Sequence, residues 1–281
     1  MEANRNVRPN IVEELAYSTI RLKCTLANGG VSVGTGFVMA FKNDKSNNKF
    51  VPVILTNKHV VKGSVNVSFV LTEMIDGKPT SGRFPFVLPI NEAGWKKHPD
   101  ENVDLCALPI GLMLNAIQAQ GKSVKVSYLP IEVIPSEEEI KKMFQLDEVV
   151  MIGYPDGIAD EINNQPIFRR GTFATNPSLD YNGKKEFLID IAAYNGSSGS
   201  PVFVLHEAAR FDRDRGGIII QQGPSVRLVG VLHSGFCHEI DGRIVAVQIP
   251  TSVVPMPVSK MPNNLGIVLK AERIKELEEQ F

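Results

Sequence analysis

Along most of this chain, apolar runs of roughly four to eight residues alternate with Gly, Asn, Asp and Pro turns, and that rhythm restricts the fold more than any other feature. Runs so short suit buried strands, not free-standing helices. In the first part, 18–26 and 31–41 form a hairpin about Asn28-Gly29-Gly30, with Gly34 and Gly36 interrupting its second strand. Residues 50–55 form a buried strand, 65–72 and 83–88 pair about Asp76-Gly77-Lys78, and 105–110 is a further short strand. The second part offers strands at 148–153, 166–174, 186–193, 201–205, 217–222, 225–234 and 243–249. Six or seven strands in each half predict an all-β fold of two antiparallel six-stranded β-barrels, the first over about 18–121 and the second over 147–258.

Helices are few. Asn10 caps a short one at 11–16, with Glu13 and Glu14 where the helix dipole favours them. Leu112, Met113, Ala116 and Ile117 recur at helical spacing before a stop at Gly121. The connection 122–146 holds a capping box, Ser136 with Glu139. In the tail, Leu265, Val268, Leu269, Ile274, Leu277 and Phe281 fall largely on one face. They predict an amphipathic C-terminal helix within 262–281 that docks on the body or on a regulatory protein partner.

Charge and composition remove whole classes of function. Thirty Lys and Arg stand against 31 Asp and Glu, so no net field draws the chain to nucleic acid or to an anionic membrane, and neither is expected as a partner. Glu2, Arg5, Arg8, Glu13 and Glu14 break up the start of the chain, leaving no apolar core of a signal peptide, and no later stretch is long enough to span a bilayer. Cys24, Cys106 and Cys237 are far apart and in no metal-ligand spacing. They read as buried free thiols of a reducing, cytoplasmic compartment, with one disulfide pair as the alternative.

Chemistry concentrates at Asn195-Gly196-Ser197-Ser198-Gly199-Ser200-Pro201, a run of small residues between two strand-like segments. Flanking glycines let the backbone take positive φ and let a substrate carbonyl come close. The amides of Gly196 and Ser198 can then converge on one spot, as stabilisation of an oxyanion requires. Ser198 is the candidate nucleophile. A Gly/Ser loop alone is a common turn, and a lone His at a strand end or an Asp before a strand is commonly structural. Together they acquire a chemistry. His59, just past the strand 50–55, is the candidate base, and Asp104, opening the strand 105–110, is the candidate partner of its imidazole. Asp100 is the runner-up for the acid; Asp104 is preferred because it directly starts the apolar strand.

The order His59, Asp104, Ser198 comes with further local patterns: Gly34-Thr35-Gly36-Phe37-Val38, Leu55-Thr56-Asn57-Lys58-His59-Val60-Val61, Val103-Asp104-Leu105-Cys106-Ala107-Leu108, Met151-Ile152-Gly153-Tyr154-Pro155, Gly196-Ser197-Ser198-Gly199-Ser200-Pro201-Val202 and Leu228-Val229-Gly230-Val231. Across residues 18–255 this resembles the trypsin-like, chymotrypsin-fold serine peptidases. The resemblance implies a peptidase domain over 18–258 and a serine endopeptidase working through a Ser-His-Asp triad and an acyl-enzyme. It further implies an oxyanion hole at Gly196 and Ser198, no cofactor or metal, and a protein or peptide substrate. Ser197 stands where secreted digestive members place an aspartate that receives a new N-terminus. No activating N-terminal cleavage is therefore expected, and the match is nearer to bacterial intracellular and HtrA-like members, without a PDZ domain.

By the same resemblance the specificity pocket is lined by Ala192, Ala193, His233, Ser234, Gly235 and Ala246. None is negatively charged, so a Lys or Arg side chain would lack a counter-ion there; Glu239 and Asp241 lie nearby as the reservation. Small walls favour an apolar residue before the scissile bond. His233 resembles the histidine of glutamate- and glutamine-cleaving relatives, but it follows Gly230 by three positions where theirs follows by two, which on a strand turns it to the opposite face. Two rival readings use the same residues: an inactive peptidase-fold module that binds peptides or regulates, and an esterase or acyltransferase.

Overall fold

The structure, a computed structural model, describes residues 10–44, 46–47, 49–90, 94–206, 209–212, 217–220, 225–241 and 258–281. At its start the Asn10 side chain accepts from the Val12 amide at 3.0 Å and opens helix α1 (Ile11–Ser18), as the capping pattern predicts. Nine strands then build one sheet: β1 (Thr19–Leu26), β2 (Val31–Asp44), β3 (Lys49–Thr56), β4 (Ser64–Ile75), β5 (Lys78–Pro89), β6 (Lys96–Lys97), β7 (Cys106–Pro109), β8 (Ser123–Lys125) and β9 (Leu129–Pro130). Its main order is β5-β4-β1-β2-β3-β7-β6, with β8 on β4 and β9 on β2. Two helices interrupt these strands, α2 (Lys58–Val61) and α3 (Gly111–Ala119). In the connection, α4 (Glu137–Ile140) begins with the expected capping box: Ser136 Oγ accepts from the Glu139 amide at 3.2 Å and Glu139 Oε2 from the Ser136 amide at 2.9 Å.

The second half closes. Strands β10 (Glu148–Gly153), β11 (Ile167–Phe173), β12 (Glu186–Asp190), β13 (Pro201–His206), β16 (Ser225–Asp241) and β17 (Val258–Lys270) form a barrel in the order β10-β11-β12-β17-β16-β13, and β14 (Ala209–Asp212) pairs with β15 (Gly217–Ile220) beside it. A short helix, α5 (Glu272–Glu278), ends the chain.

Two expectations are corrected. The first half is an open nine-stranded sheet, not a six-stranded barrel. Its edges resist closure: β5 carries Pro79, Pro85 and Pro89, which cannot donate to a neighbour, and β6 is two exposed lysines. The amphipathic tail is helical only from Glu272; residues 265–270 belong to β17. Their apolar run fits a helix face and a strand buried on both sides equally well, and Val268 faces the barrel interior while Leu269 faces the other half. The expected strand 243–249, and with it Ala246, lies outside the described residues.

That alternation organises the whole core. On β2, Phe37, Met39 and Phe41 point into a cluster shared by both halves, while Val38 points into the sheet's own cluster with Leu22, Ile54 and Leu108. On β10, Val150 and Ile152 join the shared cluster, while Val149 and Met151 fill the barrel with Phe173, Phe187 and Val202. Cys24 and Cys106 are buried free thiols, as expected, and burial pushes the proton affinity of both up; the side chain of Cys237 lies outside the described residues. Among the described residues no helix is long and apolar enough to cross a membrane.

Candidate active site

The shared face of the two halves is where the sequence candidates meet. Strand β3 ends at Thr56, and the four-residue helix α2 turns His59 out of the sheet. Asp104 lies just ahead of β7, which pairs with β3 so that Thr56 faces Cys106. The carboxylate therefore reaches His59 twice. Asp104 Oδ1 accepts from the His59 amide at 3.0 Å, and Oδ2 lies 2.5 Å from the imidazole Nδ1. A carboxylate at Nδ1 keeps the proton there and leaves Nε2 with a free lone pair, the form that can accept a proton from a hydroxyl. Asn57, fully buried, steadies the same turn by donating from Nδ2 to the Asp104 carbonyl at 2.8 Å. Asp100 is turned elsewhere, its carboxylate binding Arg273 of α5 at 2.8 Å.

Ser198 comes from the loop between β12 and β13, and that loop is seated on the first half by Thr35. The Thr35 amide donates to the Ser198 carbonyl at 2.9 Å, and its hydroxyl donates to the Gly196 carbonyl at 2.8 Å. The Thr35 carbonyl accepts from Thr56 Oγ1 at 2.6 Å, so the nucleophile loop and the strand leading to His59 share one anchor. Gly196 and Gly199 take φ of +83° and +86°. At Gly199 a Cβ would run into the Thr35 carbonyl oxygen, so only glycine permits this seating.

Inside the loop, the amides of Ser197, Gly199 and Ser200 are used, donating to Tyr194, Leu232 and Ser197 carbonyls at 3.0, 2.8 and 3.0 Å. Those of Gly196 and Ser198 have no acceptor among the described residues. Two neighbouring free donors are what an oxyanion needs. Ser197 is buried and its hydroxyl has no partner among the described residues, whereas Ser198 is half-buried. No hydrogen bond joins the Ser198 hydroxyl to His59 among the described residues; in free enzymes such bonds commonly tighten only when substrate binds. Beside Gly196 lies a cleft of about 350 Å³ lined by Val31, Ser32, Val33, Asp156, Gly157 and Asn195.

The pocket candidates divide. Gly235 and Ala193 are neighbours, a Cβ on Gly235 coming 3.2 Å from that of Ala193. The Ala192 carbonyl accepts from Arg169, whose guanidinium lies 5.1 Å from the Tyr194 ring centre. His233 sits at a register shift between Leu232 and Ser234, where β16 slips against β17, and its Nε2 lies 3.4 Å from Glu186 Oε1. Burial, and the nearby His59 and Lys184 charges, push the His233 proton affinity down against the pull of Glu186 and Asp104. Sequence reasoning missed Thr35, Asn57, Arg169 and Glu186 as parts of this site. The Gly34-Thr35-Gly36 pattern was the visible signal for the first, and a charge opening an apolar strand was the signal for Glu186. Side chains of Glu239 and Asp241 lie outside the described residues.

Residues 34–208 match the family model of the trypsin-like peptidase domain. A search of curated proteins finds no match. Among solved structures, the chain is similar to a serine endoprotease from Yersinia pestis, with 16% identity, 96% of this chain and 64% of that one covered, and a TM-score of 0.49. It is similar also to the HtrA-type protease AlgW with a tripeptide, with 15% identity, 96% and 61% covered, and a TM-score of 0.49. The chain thus spans about six-tenths of the length of these structures.

Proposed function

Since the chain belongs to the trypsin-like peptidase family, we propose that it is a serine endopeptidase in which Ser198 attacks a peptide carbonyl, His59 accepts and returns the proton, and Asp104 orients His59. The amides of Gly196 and Ser198 hold the oxyanion, and the acyl-enzyme is released by water. The reading rests above all on one observation: Asp104 grips both the amide and the Nδ1 of His59, leaving Nε2 as a base. Two unclaimed amides beside the serine support it. We assign the peptidase domain to 18–258 and a cytoplasmic location, with no N-terminal cleavage needed.

The preference before the scissile bond is for an apolar residue. Burial disfavours the charged form of His233, which a glutamate side chain would need, and Glu186 already lies 3.4 Å from its Nε2. A second reading, an inactive peptide-binding module, draws on the missing hydrogen bond between Ser198 and His59. A fluorophosphonate probe decides between them. Labelling that is lost in Ser198→Ala supports the peptidase; no labelling of the folded protein at any pH supports the module.

A further inference from the structure

The turn that presents Asp104 is held from the far end of the chain. Asp100, rejected as the acid, is its hub. Its Oδ1 accepts from the Asn102 amide at 3.0 Å and from Asn102 Nδ2 at 3.2 Å, and its Oδ2 accepts from Arg273 Nη2 at 2.8 Å. Its carbonyl accepts from the Val103 amide at 3.2 Å and from Nζ of Lys58, the residue before His59, at 3.0 Å. Its amide donates to His98 Nδ1 at 3.1 Å, which leaves the proton of that ring on Nε2, facing the Arg273 carbonyl at 3.2 Å. Arg273 thus touches the turn through both its guanidinium and its backbone. It is itself fixed: its side chain is 15% exposed and pairs with Glu276 at 3.0 Å. From the same helix, Ile274 and Leu277 are fully buried in the same cluster as Val103 and Leu105, which flank Asp104.

We propose that Arg273 is a positioning residue for the acid arm of the site, holding through Asp100 the turn 98–104 so that the Asp104 carboxylate stays on His59. The proposal rests on the reading of Asp104 as the acid. Asp104 accepts at 2.5 Å from a ring that is 45% exposed, and its place on that ring depends on the turn that carries it as well as on Asn57 and the His59 amide. Misplacing a catalytic group by about 1 Å can cost on the order of a hundredfold in rate.

The test compares wild type with Arg273→Gln, Arg273→Lys and Asp100→Asn. Arg273→Gln and Asp100→Asn are expected to lower kcat about ten- to a hundredfold with KM within about twofold. Arg273→Lys should keep part of the rate. A second readout does not need turnover: the low-field proton resonance of His59 Nδ1–H should broaden or vanish in Arg273→Gln and persist in Arg273→Lys. A lower melting temperature with kcat and that resonance unchanged would make Arg273 merely structural and overturn the proposal. Failure of the wild type to react with a fluorophosphonate would overturn the peptidase reading instead, and the resonance would still decide whether Arg273 positions Asp104.

Discussion

Each half of the molecule brings a histidine against a carboxylate, and the two pairs are built for different ends. His59 is 45% exposed, meets Asp104 at 2.5 Å through Nδ1, and leaves Nε2 without a hydrogen bond among the described residues. His233 is 18% exposed, turns Nε2 toward Glu186 at 3.4 Å without a hydrogen bond, and loses proton affinity to burial. The first arrangement makes a base that can gain and release a proton. The second makes a ring whose charged form burial disfavours. What separates them is the element each histidine stands on: a one-turn helix at the open end of a sheet, against a slipped register inside a closed barrel.

The hardest test of that contrast removes each ring in turn. His59→Ala, like Ser198→Ala, should lower peptide hydrolysis by several orders of magnitude without unfolding the protein, because such groups act as a unit. Ser197→Ala should cost far less, since its hydroxyl is buried and faces no substrate. Turnover measured against titrated active sites checks this; loss in Ser197→Ala with retention in Ser198→Ala would reverse the assignment. With an imidazole as base, the rate falls on acidification as the ring takes up a proton.

The nucleophile side can be broken without touching a reacting group. Gly199→Ala puts a methyl against the Thr35 carbonyl and 2.5 Å from Thr56 Oγ1, at a φ of +86°. The loop must leave its seat, and fluorophosphonate labelling should slow by about a hundredfold. Gly121→Ala is the control: φ is +69° there too, but nothing lies within 4 Å, so labelling should be unchanged and only stability should fall, by about 1 kcal/mol. Equal labelling in both variants would mean that the seating on Thr35 does not matter.

A third histidine extends the comparison to stability. His98 is buried, with Arg273, Glu276 and Asp100 around it. Burial and the Arg273 charge hold its proton affinity below the ordinary histidine value, against Glu276 and the Asp100 and Arg273 backbone hydrogen bonds. Below the ordinary value of about 6.5 the unfolded chain binds a proton that the folded chain refuses. The stability from neutral His98 is therefore complete above that pH and is lost as pH falls through the lower folded value. Between about pH 6.5 and 5 the wild-type melting temperature should drop more steeply than that of His98→Gln. Parallel curves would remove His98 from the account.

Local signals read well from the chain because their partners are neighbours. The Asn10 cap and the Ser136 with Glu139 box act within three residues and formed as spaced. So did the placement of His59 after a strand and Asp104 before one. What hid was decided at a distance. The role of Thr35 depends on Gly196, 161 residues away, and that of Asp100 on Arg273, 173 residues away. Strand or helix at 265–270 turned on whether both faces found a core. Closure of the first half turned on prolines and lysines at its edges, which a count of strands ignores.

The smallest expected effect falls on the barrel histidine itself. Were His233 a receptor for a glutamate side chain, it would need a proton and a free nitrogen aimed at the substrate. The ring instead sits beside Glu186, whose carboxylate would repel an incoming glutamate, and burial favours its neutral form. Two other pocket candidates, Ala193 and Gly235, lie against each other and are small and uncharged. A peptide library should show cleavage mainly after apolar residues, and His233→Ala should alter kcat/KM for those peptides by less than about tenfold, the scale of losing part of an apolar contact. Cleavage chiefly after glutamate, abolished in His233→Ala, would give the two histidines equal standing in catalysis and specificity. The barrel pair would then be a receptor in its own right, and the apolar preference would be wrong.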